Sequence, residues 1–164
     1  MKLRVFSVFA AVAMLAACAQ APQSTATKAG AGQVAAQPAP TKGPVAGSPA
    51  DFVSNVGNTV YFDFDKSNLR PDAQAVLAKQ VAWLKQYPAY KITIQGNCDE
   101  RGTREYNLAL GARRANSAKK YMVTNGIAAS RISTISFGKE RPVCVASTEK
   151  CWAENRRDVT VISK

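Results

Sequence analysis

The chain has 164 residues, 46% of them apolar, enough for one domain with a real core and little more. Lys and Arg number 22 against 11 Asp and Glu, a formal charge of +11 that suits nucleic acid, a membrane surface or another polyanion. There is no histidine, which excludes Ser/His/Asp and Cys/His catalysis, His-ligated zinc and the usual general base; no metal or other cofactor is expected.

Residues 1–17 read as a signal peptide. Lys2 and Arg4 make a basic start, Val5 to Ala17 is an apolar run too short to span a bilayer as a mature helix, and Leu15-Ala16-Ala17-Cys18 is a small-residue cleavage site. A cysteine at that point looks like a lipobox, in which the new N-terminal thiol of Cys18 carries diacylglycerol and its amine a third acyl chain. At about 0.8 kcal/mol per buried CH₂, three chains would anchor the protein almost permanently. Position 19 is alanine, not the aspartate that retains many such lipoproteins in the inner membrane, so the expected destination is the periplasmic face of the outer membrane. Loss of Lys2 and Arg4 with the leader leaves 20 basic against 11 acidic residues, a charge of +9. An exported protein has little access to nucleic acid, and the polyanion is then expected in the cell envelope.

Residues 18–50 read as the lipidated cysteine and a linker. Ten of the 32 residues from 19 to 50 are alanine and none is aromatic, Leu or Ile, so the segment cannot bury enough surface to offset its ordering entropy. As a coil it would span roughly 30 Å, and about 105 Å when taut.

From Asp51 to Lys164 the composition is that of a folded domain. Val60, Phe62 and Phe64 alternate with Tyr61, Asp63 and Asp65, the pattern of a half-buried strand. Pro71 suits the first turn of a helix with the apolar stripe Ala73, Val76, Leu77, Val81 and Leu84, ending before Pro88. A second strand, Lys91 to Gly96, alternates Ile92 and Ile94 with Lys91, Thr93 and Gln95. A glycine-bracketed loop from Gly96 to Gly102 follows, carrying Asn97, Asp99, Glu100 and Arg101.

Thr103 is a candidate N-cap for a second helix, with Glu105 in the first turn and Gly126 as a left-handed stop after Asn125. Tyr106, Leu110, Tyr121 and Ala118 fall on one apolar stripe, and Arg114 falls inside it. A core-facing guanidinium needs an anion, and the candidate is Asp99, in the loop just before the helix. Two arrangements are open. The pair could be a structural bidentate ion pair, or Asp99 and Arg114 could stand side by side and take the ammonium and carboxylate of a zwitterionic ligand. Strands at about Arg131 to Phe137 and Arg157 to Ile162 complete the order β-α-β-α-β-β. The predicted fold is α+β, a two-layer α/β sandwich with a mixed four-stranded sheet and both helices on one face. Asp63 and Asp65, at the end of the first strand, could reach the same edge as the Asp99 loop.

Four segments, VYFDFDKS (Val60 to Ser67), GNCDERGTREYNLALGARRA (Gly96 to Ala115), FGKERP (Phe137 to Pro142) and ENRR (Glu154 to Arg157), lie in order over the last hundred or so residues. Together they resemble the peptidoglycan-associated lipoproteins within the OmpA-like C-terminal domains. That resemblance implies a non-catalytic tether that binds peptidoglycan and holds the outer membrane to the wall. Asp99 and Arg114 would hold the two ends of diaminopimelate in the stem peptide, with Phe64, Asp65 and Asn97 in contact and Asn107 and Leu110 shaping the wall. It also implies binding to TolB and other Tol proteins, and a part in cell division. The chain departs from the family's commonest pattern at Asn97, where histidine often stands, and at Cys98, where a small residue is usual.

Export makes disulfides possible. With Cys18 lipidated, Cys144 and Cys151 can close an eight-residue loop worth roughly 2.5 kcal/mol by chain entropy. Cys98 is left over, either as a small buried residue or as a reactive thiol. In the second case it would be the nucleophile of an alternative, peptidoglycan-acting enzyme, with no histidine to activate it.

Overall fold

A computed structural model describes residues 43–163; the expected signal peptide, Cys18 and the linker up to residue 42 lie outside the described residues. Among the described residues, no helix is long and apolar enough to cross a membrane.

Ordered contacts begin earlier than the expected boundary at Asp51. A helical turn, α1 (Pro49–Asp51), is capped by Ser48, whose side chain accepts from the Asp51 N–H, and runs into a π-helical turn at Phe52–Val56. Asp51 Oδ2 accepts from the Gly47 N–H and from Trp83 Nε1, both at 2.9 Å, while the Tyr90 hydroxyl donates to Gly47 O at 3.0 Å. Phe52, Tyr87 and Tyr90 pack around Trp83 with ring centroids 5.0, 4.7 and 5.3 Å away. The last residues of the expected linker are thus clamped onto an aromatic cluster.

Strand β1 is only Thr59–Tyr61. The alternation carries Phe62 into the core, but the chain then leaves the sheet: Phe64 is exposed and Asp65 takes a positive φ of 56°. Aspartate tolerates that left-handed turn better than most side chains. The strand expected through Asp65 therefore stops four residues early. Helix α2 (Pro71–Gln86) buries Ala73, Leu77, Val81 and Leu84 as expected, and in addition Trp83 and Gln80. Gln80 is tolerated in the core because its amide donates to Gly57 O and its carbonyl accepts from Thr160 Oγ1.

Strand β2 (Lys91–Asn97) places Ile92 and Ile94 in the core. Helix α3 (Arg104–Thr124) starts where Thr103 accepts from the Tyr106 N–H and ends before Gly126, which has φ 93°. Strand β3 is Ile132–Gly138 and β4 is Arg157–Ser163. Between them lies a short helix absent from the expected order, α4 (Glu149–Asn155).

The sheet is mixed, in the order β1-β4-β2-β3. β2 pairs with β3 in parallel, whereas β4 runs antiparallel to both β1 and β2 and lies between them. The first β-α-β crossover therefore skips one strand, and the last strand fills the gap. Phe52, Val60, Phe62, Leu77, Leu84, Ile92, Ile94, Met122 and Ile132 form the core between sheet and helices.

Helix α3 and strand β2 meet at two glycines. A side-chain carbon on Gly96 would lie 2.0 Å from Gly111 O, and one on Gly111 would lie 2.4 Å from Ser136 Oγ. This contact sets how deeply α3 sits over the end of the sheet, where the parallel strands β2 and β3 finish and the loop bearing Asp99 begins.

Candidate ligand-binding site

At that end of the sheet is a cavity of about 190 Å³. Phe64 and Asp65 enter it from the turn after β1, Cys98, Asp99, Arg101 and Gly102 from the loop after β2, and Tyr106, Asn107, Leu110 and Arg114 from α3. Six of the residues expected at a site, Phe64, Asp65, Asp99, Asn107, Leu110 and Arg114, are brought together here.

Arg114 is fully buried, as its place in the apolar stripe requires. Among the described residues it has no carboxylate bonded to it. Nε donates to Lys66 O at 2.8 Å, Nη1 to Asn97 O at 2.9 Å and to Cys98 Sγ at 3.4 Å, and Nη2 to Asp63 O at 3.1 Å. Of the two arrangements left open, the structural ion pair with Asp99 does not form, because carbonyls of the turn after β1 and of the last residue of β2 satisfy the guanidinium. Of its five N–H groups one, on Nη2, is left unclaimed. Burial lowers the pKa of Arg114, which nonetheless stays charged.

Asp99 is 4% exposed and lies between two other arginines. Oδ1 accepts from the Arg101 N–H at 3.1 Å and Nε at 3.2 Å, while Oδ2 accepts from Arg101 Nη2 at 2.6 Å and Arg156 Nη1 at 3.3 Å. Burial pushes the carboxyl pKa up, but hydrogen bonds from Arg101 and Arg156 outweigh it and hold the group below its ordinary value. Asp99 is thus ionised. Arg101 is itself sandwiched, its guanidinium carbon 4.0 Å from the centre of the Phe64 ring and 4.1 Å from that of Trp152.

Asn97 is buried away from the cavity: its Nδ2 donates to Gln95 O and Arg157 O, and it serves the site only through its carbonyl to Arg114. Asn107 Nδ2 donates to Arg101 O and Thr103 O, which pins the Asp99 loop onto α3. Asp65 accepts from the Tyr106 hydroxyl, and Tyr106, expected in the apolar stripe, is exposed at the cavity mouth. Asp63 is instead paired with Arg70 at 3.0 Å.

Cys98 is buried, with its thiol directed at Asn107 O, and burial pushes its pKa up to about 11. That favours the small-buried-residue reading over a reactive thiol. Cys144 and Cys151 are joined, with Cα atoms 5.0 Å apart.

Sequence reasoning missed Arg156, Glu149 and Trp152. Arg156 Nη2 donates to Glu149 Oε1 at 2.6 Å, and Trp152 Nε1 to Glu100 Oε1 at 2.9 Å. A Thr at 148 ahead of Glu149 was a readable helix start, since Thr148 caps α4 by accepting from the Cys151 N–H. Also missed was Asp158, whose buried carboxylate oxygens have no hydrogen-bond partner among the described residues. Burial raises its pKa well above the ordinary value, against the pull of Arg114.

Residues 61–156 match the model of the OmpA family. A peptidoglycan-associated lipoprotein of Mesorhizobium japonicum is 56% identical over 117 residues, 71% of this chain and 70% of that protein. One from Brucella melitensis is 53% identical over 117 residues, with the same shares. The crystal structure of the peptidoglycan-associated lipoprotein from Burkholderia pseudomallei superposes with a TM-score of 0.67 at 39% identity, covering 71% of this chain and 100% of that one.

Proposed function

We propose, since the chain belongs to the OmpA family and within it to the peptidoglycan-associated lipoproteins, that its folded domain binds peptidoglycan without catalysis and anchors the cell envelope. The ligand is the diaminopimelate of the stem peptide. The observation that carries this reading is the presence of an ionised Asp99 and a buried, uncompensated Arg114 on one cavity of about 190 Å³. A zwitterionic amino-acid terminus matches that pair of charges.

The four bonds already accepted by Asp99 constrain how an ammonium group binds there. Arg156 is held by Glu149 and by Phe62 O, whereas the Arg101 side chain is 31% exposed. The ammonium therefore takes up bonds that Arg101 gives, while Arg101 stays against Phe64 and Trp152. The ligand carboxylate receives the free Nη2 N–H of Arg114. Hydrolysis by Cys98 is not favoured, because the thiol is buried and raised to about 11 with no histidine to activate it.

The sequence around Cys18 supports a lipid anchor in the outer membrane, with the residues between Cys18 and the clamped Gly47 as the tether. Partnership with TolB and other Tol proteins, and a role in division, rest on the family alone. Co-sedimentation with purified sacculi tests the binding: the intact chain should pellet and an Asp99→Ala form should remain in solution. Acyl labelling tests the anchor, and label retained after Cys18→Ser would refute it.

A further inference from the structure

Helix α4 has seven residues, too few to be stable unaided. Two devices hold it. The Cys144–Cys151 disulfide ties its first turn back to the loop after β3. Asn155, at its end, accepts from the N–H groups of Val143 and Cys144 at 2.8 and 3.2 Å and donates to Cys144 O at 2.7 Å. Cys144 is thus gripped from both ends of one short helix.

Helix α4 does not line the binding cavity but backs its Asp99–Arg101 corner. Trp152 lies against the Arg101 guanidinium and bonds Glu100, Glu149 bonds Arg156, and Arg156 bonds Asp99. Apart from Asn107, the side chains that fix the Asp99–Arg101 corner from outside its own loop therefore include three from α4 and the residue after it.

We propose that the disulfide-closed loop and α4 position the Asp99–Arg101 corner, so that affinity for the ligand falls when Cys144–Cys151 is reduced. This rests on the reading of the cavity as the peptidoglycan site. The reductant is a dithiol: one of its thiolates attacks a disulfide sulfur, the S–S bond breaks to give a mixed disulfide, and the second thiolate displaces it. Two electrons pass to the protein, Cys144 and Cys151 leave as thiols, and the dithiol becomes a disulfide. Cys98 borders a cavity of about 130 Å³ together with Cys144, but its protonated thiol makes it a poor internal reductant.

The test measures sacculus binding and Tm of the full chain, oxidised and after dithiothreitol, alongside a Cys144→Ser/Cys151→Ser form. Binding about tenfold weaker in a reduced chain that remains folded is the expected result, and unchanged binding in that chain overturns the proposal. If reduction unfolds the protein, Trp152→Ala and Trp152→Phe with the disulfide intact decide it. The first should lose about tenfold and the second should recover most of it, because the ring still stacks on Arg101. Equal binding by Trp152→Ala and the parent chain would then sink the idea. If the oxidised parent itself fails to hold sacculi, the function proposed above is wrong. The positioning role is then read from the Trp152 indole and Arg101 amide resonances, whose failure to move on reduction overturns it independently.

Discussion

Asp99 and Arg114 line one cavity without being bonded to each other. Arg114 is held by the carbonyls of Lys66, Asn97 and Asp63, and Asp99 by the side chains of Arg101 and Arg156. Substituting one therefore leaves the other's protein contacts in place, and the two variants should fail in different ways.

Asp99→Asn should weaken sacculus binding by about 30-fold or more, the usual cost of truncating one member of a desolvated charged contact. Because the folded-state pKa of Asp99 is depressed, its stabilising effect is present above the unfolded value, about 3.9, and is lost as pH falls through the lower folded value. Thermal melts between pH 2 and 7 should show the parent chain losing more stability on acidification than Asp99→Asn.

Arg114→Lys should be a folding defect as much as a binding one. An ammonium cannot reach three carbonyls set out for a planar fork, and those acceptors would be left buried. We expect a loss of roughly 3 kcal/mol, or a Tm lower by on the order of 10 °C, together with loss of binding. A variant that melts like the parent would contradict the carbonyl-cradle account of this arginine.

Asp158→Asn should stabilise the protein at neutral pH. The folded-state pKa of Asp158 is raised, so the folded chain binds more protons than the unfolded one between the two values, and stability falls as pH rises through that window. The amide removes this dependence and the cost of a buried, unpartnered charge. A gain of about 1–2 kcal/mol at pH 7 that vanishes near pH 3 is the expected pattern in denaturant titrations.

Gly96→Ala should be severely destabilising, by about 3 kcal/mol or more, because the new methyl group meets the Gly111 carbonyl at 2.0 Å and only backbone movement can relieve it. If α3 instead shifts outward and the domain survives, Arg114 leaves its carbonyls and binding should fall. Circular dichroism melts and sacculus binding on one preparation distinguish these outcomes.

The long elements were legible because their signals are local. Thr103 and Gly126 bracket α3, and the stripe that includes Arg114 foretold a buried guanidinium. Only one partner of Asp99 was within reach of the sequence: Arg101 stands two positions on, whereas Arg156, 57 positions away, arrives only because β4 inserts between β1 and β2. Alternation also overran β1, since Phe64 keeps the apolar rhythm of a strand but serves as a platform for Arg101 outside the sheet. Helix α4 left little periodicity to read because a disulfide and Asn155 hold it.

The clamp on Gly47 has a mechanical consequence. Tyr90, which holds it, directly precedes β2, and Asp99 follows the other end of that strand, so Gly47 and the cavity lie toward opposite ends of β2, about 20 Å apart along it. A pull applied at Gly47 and resisted at the cavity runs parallel to the strands. The ladder bonds of β2 to its neighbours, which cross that direction, are then strained together in shear and not opened one after another. With the anchor and the wall contact proposed above, tension between them loads the domain along its most resistant axis.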